Sequence, residues 1–355
     1  MLQNFLSTKY RRLVGILLVS FSAFFLSLVV DGRESELIPT PHFEVYLNNN
    51  PQLIGGFIEF SYGKQQVVNT PRLEVKGKLL PCDGVLQVTV YDKNDDILFT
   101  GKKEVKVPQG DFAEDFILDS PLSDPQYAHI TFNTEKGTFE NLIPIKLHKL
   151  YGKITDFEGN PIAAYLLVSG LAIRARADSD GYYTLWLPEQ KVQHIFIDDE
   201  TYSKTSLECY IGHEFTLTRD LNIDLHIHRL ELYNMRAWSS YTAFYVYFIP
   251  MSLTRLQDTT LAGKREQWPK LSIDQVKVYI NEREIPIVFF NEIPDYLGNE
   301  DTRPAYIVSI PKREARGAHE KDGYVVVRVV AEDKIEYPDR VVVDKGEAIL
   351  INSLR

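Results

Sequence analysis

Cysteine is scarce in this chain, which has only Cys82 and Cys209 among its 355 residues. Two widely separated cysteines exclude a disulfide framework, although one bridge between domains stays open beside two buried thiols. No pairing of Cys and His has the spacing of a structural zinc site. We therefore expect units that are stabilised by hydrophobic cores.

Motifs for catalytic nucleophiles and phosphate loops are also missing. Val168-Ser169-Gly170 lacks the first glycine of a G-x-S-x-G turn, and His213-Glu214 is not followed by the second histidine of H-E-x-x-H. No helical pattern recurs between the strands, which disfavours a βαβ enzyme. We predict a protein that is not an enzyme and has no cofactor. A hydrolase with its site in residues 230–355 stays as an alternative, because sequence alone does not exclude a glycosidase carboxylate pair.

Basic residues are outnumbered by acidic ones, 39 against 49, so the formal net charge is −10. A surface of this sign disfavours sequence-independent binding to nucleic acid, and we predict no nucleic-acid partner. The hydrophobic fraction of 44% excludes global disorder. Methionine is rare, with 3 residues, whereas 20 Tyr and 19 Phe favour strands over helices.

One long hydrophobic run occurs, at residues 13–30, and it contains no charged residue. Its length is at the lower end of what spans a bilayer. Lys9, Arg11 and Arg12 precede it and acidic residues follow, which favours a body outside the cytoplasm. We expect an uncleaved signal-anchor in the cell membrane, with a cleaved signal peptide and secretion as the alternative. Residues 31–42 are predicted to form a linker.

Residues 43–148 show short alternating segments separated by turns. Leu73–Leu79 alternates apolar and polar residues, as does Val85–Asp92, and Lys93–Asp96 then has the composition of a turn. About seven short strands in a hundred residues are typical of an immunoglobulin-like sandwich. By this pattern the unit resembles bacterial Ig-like or fibronectin-III-like modules.

Residues 149–229 contain two turn clusters, Asp156–Pro161 and Asp178–Gly181, each beside a candidate strand. Glycine supplies a positive φ there, and aspartate bonds back to the nearby backbone. The residues that form the pattern are Gly152, Ile154, Asp156, Gly159, Pro161, Asp178, Asp180, Gly181, Tyr183, Leu185, Leu187 and Pro188. This pattern resembles the carboxypeptidase regulatory-like domain, a transthyretin-like β-sandwich. The resemblance implies a non-catalytic accessory unit and brings no catalytic residues.

Residues 230–355 are predicted to form a third β-sandwich, of no family that we recognise. If the aromatic stretch from 236 to 249 were one strand, Trp238 would share the core side with Phe244, and the tyrosines would lie opposite. Tyrosine rings can stack on sugar faces while their hydroxyls bond to sugar hydroxyls. The ligand-binding hypothesis therefore comprises Trp238, Tyr241, Tyr245 and Tyr247, and the alternative is that these tyrosines pack under the insertion at 256–270 or against the second unit.

A metal site is a second hypothesis, at Asp224, His226 and His228. Spacing by two residues places these side chains on one face of a strand, and two histidines beside a carboxylate can bind Zn²⁺. A further ligand would have to come from elsewhere, for example from His213 or Glu214. The alternative is a solvated strand face whose Leu225 and Ile227 face the core.

Together these observations predict an all-β chain of three consecutive sandwich modules behind an N-terminal anchor. The predicted function is non-catalytic binding or scaffolding at a bacterial-type cell surface. The expected partner is a polysaccharide or another surface protein, and the N-terminal helix would contact the membrane. A structural or assembly subunit of a surface complex is the alternative.

Overall fold

A computed structural model describes residues 41–60, 63–171, 173–298, 301–316 and 323–352; of these, it describes no side chains for 54–60, 63–69, 213 and 352. Strands make up most of these ranges, which confirms the all-β prediction. The helices in them are short, and none is long and apolar enough to cross a membrane. The predicted anchor at residues 13–30 lies outside the described residues.

The first unit contains the strands β1 (His42–Asn48), β2 (Leu53–Phe60), β3 (Gly63–Asn69), β4 (Arg72–Lys78), β5 (Cys82–Tyr91), β6 (Ile97–Val107), β7 (Asp111–Ile117), β8 (Tyr127–Thr134) and β9 (Gly137–Pro144). They form a sandwich of a three-stranded and a four-stranded sheet, with orders β1-β4-β7 and β6-β5-β8-β9. A hairpin, β2–β3, forms a separate pair.

The alternation predicted for this unit is confirmed where it was strongest. Leu73 and Val75 of β4 are buried, whereas Lys76 on the opposite face of the strand is exposed. Apolar side chains from both sheets, including Val88 and Ile130, join them in one core. β6 is one continuous strand from Ile97 to Val107.

The second unit contains β10 (Leu147–Thr155), β11 (Tyr165–Val168), β12 (Ile173–Arg176), β13 (Tyr182–Pro188), β14 (Val192–Asp198), β15 (Cys209–Phe215), β16 (Leu221–Asn222) and β17 (Leu225–His226). β10 pairs with β13, β16 and β17 in one sheet. β12, β11, β14 and β15 follow one another in the opposite sheet. Apolar residues from both sheets form its core.

The two predicted turns of this unit have the expected chemistry. The Asp156 carboxylate accepts hydrogen bonds from the backbone N–H of Glu158 and Asn160, at 2.9 and 2.8 Å. Asp178 does the same for Asp180 and Tyr182. Gly159 and Gly181 have φ angles of +90° and +82°. These contacts confirm the turns themselves.

The third unit contains β18 (Leu230–Ser239), β19 (Ala243–Ser252), β20 (Val276–Ile280), β21 (Arg283–Ile285), β22 (Phe289–Gly298), β23 (Asp301–Pro311), β24 (Val325–Glu336) and β25 (Val341–Asn352), with helices α1 (Leu253–Gln257) and α2 (Lys312–Arg316). One sheet has the order β18-β19-β23-β22. The other consists of β25, β24, β20 and β21. A third core lies between them.

The second and third units share one sheet. β15 pairs in parallel with β25, and an eight-stranded sheet with the order β12-β11-β14-β15-β25-β24-β20-β21 results. Along β25, Ile349 and Ile351 belong to the second-unit core, whereas Ala348 and Leu350 belong to the third-unit core. The domain boundary between 229 and 230 stays a prediction. The hydrogen bonds between β15 and β25 join the units on its two sides.

Both cysteines are free thiols in the structure. Cys209 is buried in the second-unit core, whereas Cys82 at the start of β5 is half-buried. Burial raises the pKa of both thiols, so neither has the character of a reactive thiolate.

Candidate functional site

The aromatic stretch forms a hairpin, and the prediction that Trp238 shares a face with Phe244 is wrong. β18 ends at Ser239 and β19 begins at Ala243, so the turn between them interrupts the two-residue alternation. Trp238 instead pairs across the strands with Tyr245. Their rings are stacked, with centroids 5.5 Å apart and planes 13° apart. Tyr241 lies in the turn and is 97% exposed.

Trp238 and Tyr245 begin a row that crosses the whole sheet. Tyr245 is paired with Ser309 of β23, and Ser309 is paired with Phe289 of β22. Directly paired residues in a sheet lie on the same face, so all four side chains share the face opposite the third-unit core. Trp238 is 45% exposed and Phe289 is 49% exposed, whereas Ser309 between them is buried. We call this set the aromatic row.

A polar row lies next to the aromatic row on the same face. It contains Tyr247, which pairs with Arg236 on one side and with Ile307 on the other, followed by Asn291. The Tyr247 hydroxyl donates to Asp295 at 3.3 Å. Burial, together with Asp295, raises the pKa of Tyr247 to about 12, so its hydroxyl stays a donor at neutral pH.

Asp295 is held by a second contact. It accepts a hydrogen bond from Arg303 Nε at 2.9 Å, and the Arg303 guanidinium lies over the Tyr233 ring, 4.7 Å from its centroid. The side chains of Arg303 and Asp295 are 20% and 26% exposed, so most of this ion pair is shielded from water. The arrangement combines flat aromatic rings with fixed donors and acceptors on a rigid sheet.

Of the four residues in the ligand-binding hypothesis, the structure thus places three on one face. This face of the β18–β19 hairpin carries Trp238, its cross-strand partner Tyr245 and, two residues further along β19, Tyr247. The fourth residue, Tyr241, lies in the turn beyond them. Phe289 was missed, because it reaches this face only through the pairing of β22 with β23. No short-range pattern in the sequence reveals such a pairing.

The residues of the metal hypothesis have other contacts. His226 Nδ1 lies 3.0 Å from the Glu347 carboxylate, which also accepts a hydrogen bond from the His226 backbone N–H at 2.7 Å. The same carboxylate is bonded to Arg328. Burial alone would raise the pKa of Glu347, but Arg328 and His226 outweigh it and hold this pKa below its ordinary value. Glu347 is therefore a buried, ionised and paired carboxylate.

Asp224 and His228 are held separately. Asp224 Oδ1 accepts a hydrogen bond from the Lys153 N–H at 2.8 Å, and His228 Nδ1 accepts one from the Lys345 N–H at 3.1 Å. Burial lowers the pKa of His228. The ring of Phe157 contacts both histidines.

Within the described ranges, no group of three or more His, Cys, Asp and Glu residues has a geometry that could hold a metal ion. Glu214 forms an ion pair with Lys191, and the side chain of His213 is outside the described set. The metal hypothesis stays a prediction, without support from the contacts of these residues.

A buried acidic cluster, which the sequence did not reveal, lies where the second and third units meet. It contains Asp198 at the end of β14, Glu208 just before β15 and Glu231 in β18. Asp198 and Glu231 are 3% and 4% exposed. The run Asp198-Asp199-Glu200 is acidic in the sequence, but nothing in it predicts a contact with residues of the third unit.

A second stacked pair of tyrosines lies on the first unit. Tyr91 and Tyr127 have ring centroids 5.0 Å apart, with planes at 18°. The Tyr127 hydroxyl donates to Asp95. This pair lies on a different unit from the aromatic row and has a similar ring geometry, which makes it a suitable control surface.

No protein-family model and no curated protein sequence matches the chain. Similar solved structures include a candidate carbohydrate-binding protein from Bacteroides uniformis, at 10% identity and a TM-score of 0.23, covering 58% of this chain and 99% of that one. A DUF3823 family protein from Parabacteroides merdae has 11% identity and a TM-score of 0.18, covering 58% and 98%. Dimeric latent PorU from Porphyromonas gingivalis has 10% identity and a TM-score of 0.18, covering 89% and 34%. TM-scores this low carry no argument about function.

Proposed function

We propose that the protein is a non-catalytic binding protein whose aromatic row binds a polysaccharide. The observation that carries this proposal is the exposed stack of Trp238 on Tyr245, which continues across the sheet to Phe289. Most large apolar side chains of a folded unit are covered, and exposed aromatic side chains gathered on one face are a common mark of a binding site. The alignment of these rings on one face supports a ligand with a flat, extended shape.

The chemistry of the surface fits a sugar chain. Aromatic rings offer apolar faces for the C–H surface of a sugar ring, and tyrosine adds a hydroxyl that can bond to sugar hydroxyls. Tyr245 and Phe289 are two strands apart, which corresponds to roughly 10 Å at the usual strand spacing. Asn291 and Tyr247 add polar groups beside the rings. A chain of several sugar units could therefore lie along the row.

The rigidity of the sheet favours binding. Each ring of the row is fixed by strand pairing on one or both sides, and Trp238 and Tyr245 support each other through stacking. Side chains that are already ordered lose little conformational entropy when a ligand binds. The aromatic row is thus a preorganised surface.

Location and module roles are part of the same proposal. The charge-free run at residues 13–30, with basic residues before it, supports a signal-anchor and an extracytoplasmic body. The second unit, by its resemblance to the carboxypeptidase regulatory-like domain, would act as an accessory module that positions the third unit. The partner would be a polysaccharide of the cell surface.

Affinity electrophoresis through gels that contain soluble polysaccharides tests the proposal. We expect the wild-type protein to be retarded by at least one polysaccharide. The Trp238→Ala/Tyr245→Ala double variant should lose at least about tenfold in affinity for it, equivalent to about 1.4 kcal/mol. Tyr127→Ala removes a stacked tyrosine of the first unit and is the matched control, which should be retarded like the wild type. Equal retardation of the double variant and the wild type would contradict the proposal.

The alternative is a structural or assembly subunit, because exposed aromatic residues also suit a protein interface. The same substitutions separate the two functions. If no polysaccharide retards the protein, but a protein of the cell surface is captured by the wild type and not by the double variant, the aromatic row is an assembly surface.

A further inference from the structure

Two carboxyl groups come close together at the contact between the second and third units. Glu208 lies just before β15, and Glu231 lies in β18, which packs against β15. Glu231 is 4% exposed, and its pKa is raised by burial and by the neighbouring Glu208. Two carboxylates this close repel each other when both are ionised, so the arrangement favours a proton on one of them.

The surroundings do not favour negative charge. Asp198, Asp199 and Tyr202 surround the pair from the second unit. Arg303 of β23 is a cation that acts on Glu231, but its Nε is already bonded to Asp295. Burial and Glu208 raise the pKa of Tyr210, whereas Arg236 lowers it. These are the charged and titratable groups that face the cluster from the elements around it.

Several oxygen atoms of the cluster are buried without a hydrogen-bond partner in the described part of the chain. They are Glu231 Oε2, Asp198 Oδ1 and the nearby Tyr233 hydroxyl. A buried carboxylate without compensating bonds is costly, and the cost is lower when the group is protonated. Burial raises the pKa of Asp198 to about 8 and that of Glu208 to about 7, and it raises the pKa of Glu231 well above its ordinary value.

The segment between Asp198 and Glu208 connects this cluster to the third unit. Gln257 of α1 donates from its side-chain amide to the Lys204 carbonyl at 2.7 Å, and Arg229 donates to the Thr205 carbonyl. If Glu208 and Glu231 were both ionised, their repulsion would weaken this contact. The charge of the cluster therefore affects how tightly the two units are joined.

We propose that Asp198, Glu208 and Glu231 form a proton-sensitive contact, which joins the second and third units when protonated and loosens when ionised. An acid whose native pKa is raised stabilises the fold fully below its ordinary pKa. This stabilisation is lost as pH rises through the native pKa, which here means between about pH 4 and pH 8. The contact is strongest in mildly acidic surroundings. This inference does not depend on polysaccharide binding.

Thermal unfolding and amide hydrogen exchange of the full-length chain in detergent test the contact, at about pH 5.5 and about pH 8.5. For the wild type we expect the Tm to fall by several degrees at the higher pH. Amides of 199–208 and of the start of β18 should exchange at least about tenfold faster than the change in intrinsic rate explains. In Glu208→Gln the neutral amide remains uncharged at both pH values, so both changes should shrink markedly.

Glu284→Gln is the matched control, because Glu284 is an exposed glutamate paired with Lys277, which stays charged at both pH values, and its loss should leave the pH dependence unchanged. If Glu208→Gln fails to fold, Asp198→Asn gives the same comparison from the other side of the cluster. A wild type with no pH dependence, or a dependence that neither variant reduces, would overturn the proposal. Millimolar calcium that restores the wild-type Tm at the higher pH, and not that of Glu208→Gln, would also overturn it in favour of a cation site.

Discussion

The aromatic stretch from 236 to 249 and the Asp224–His228 segment were both interpreted from alternation along a strand, and they differ in what contacts their side chains. In each, side chains spaced by two residues were expected to share a strand face. The Trp238 ring is almost half exposed. His226, by contrast, is bonded to Glu347, and Asp224 is bonded to the Lys153 N–H. Alternation along a strand indicates which side chains share a face, but not whether other parts of the chain occupy their polar atoms.

The difference arises from partners that are distant in sequence. Glu347 belongs to β25 and reaches His226 from 121 residues away. The aromatic row also depends on distant strands, but there they add Ser309 and Phe289 beside the rings and leave the rings open. Partners that bond to the polar atoms of a candidate site occupy those atoms, whereas partners within the sheet extend the surface. Substitutions in the two regions should therefore affect different properties.

The largest effect is expected for Glu347→Ala. Removing this carboxylate leaves Arg328, which is itself mostly buried, without its charge partner. Breaking a buried ion pair costs about 3–5 kcal/mol. Chemical denaturation should show this loss in the free energy of unfolding, and polysaccharide binding by the protein that remains folded should be unchanged. Glu284→Ala, at an exposed ion pair, is the control and should change stability by less than about 0.5 kcal/mol. A loss below about 1 kcal/mol for Glu347→Ala would show that the pair is not desolvated.

A smaller effect on stability is expected for Trp238→Ala. Its cross-strand stack with Tyr245 contributes about 1 kcal/mol, because half of the ring already faces water. Denaturation curves should show this modest loss, while affinity for the polysaccharide falls by at least about tenfold. If stability falls by more than about 3 kcal/mol, Trp238 has a core role and the surface is not an open one.

No effect on stability is expected from stoichiometric zinc. His226 Nδ1 and His228 Nδ1 already have partners, and the described residues bring no third ligand to them. A ligand raises the Tm only when it binds the native state better than the unfolded chain. Differential scanning fluorimetry with and without zinc measures this. A Tm increase that His226→Ala removes would show that the segment is a metal site after all.

The sequence predicted local features better than long-range ones. The turns at Asp156 and Asp178 depend on hydrogen bonds over two to four residues, and both were predicted with their chemistry. β25 contains the charged residues Asp344 and Glu347, which are bonded to Ser252 and Arg328. These partners are distant in sequence, so alternation along the strand does not reveal them.

Long-range pairing accounts for what the sequence did not reveal. The sheet shared by the second and third units depends on the pairing of β15 with β25, and these strands are more than a hundred residues apart. The position of Trp238 was wrong because a turn of three residues changed the phase between β18 and β19. Both the acidic cluster and Phe289 require such tertiary contacts, which residue spacing does not encode.

The most direct test of polysaccharide binding by the aromatic row is nuclear magnetic resonance of the three tryptophan indoles during a titration. Trp186 lies in the second unit, against Lys149, and serves as the internal control. A polysaccharide that retards the protein should shift the Trp238 indole signal and leave that of Trp186 in place. A shift of Trp186 with an unmoved Trp238 signal would contradict the account.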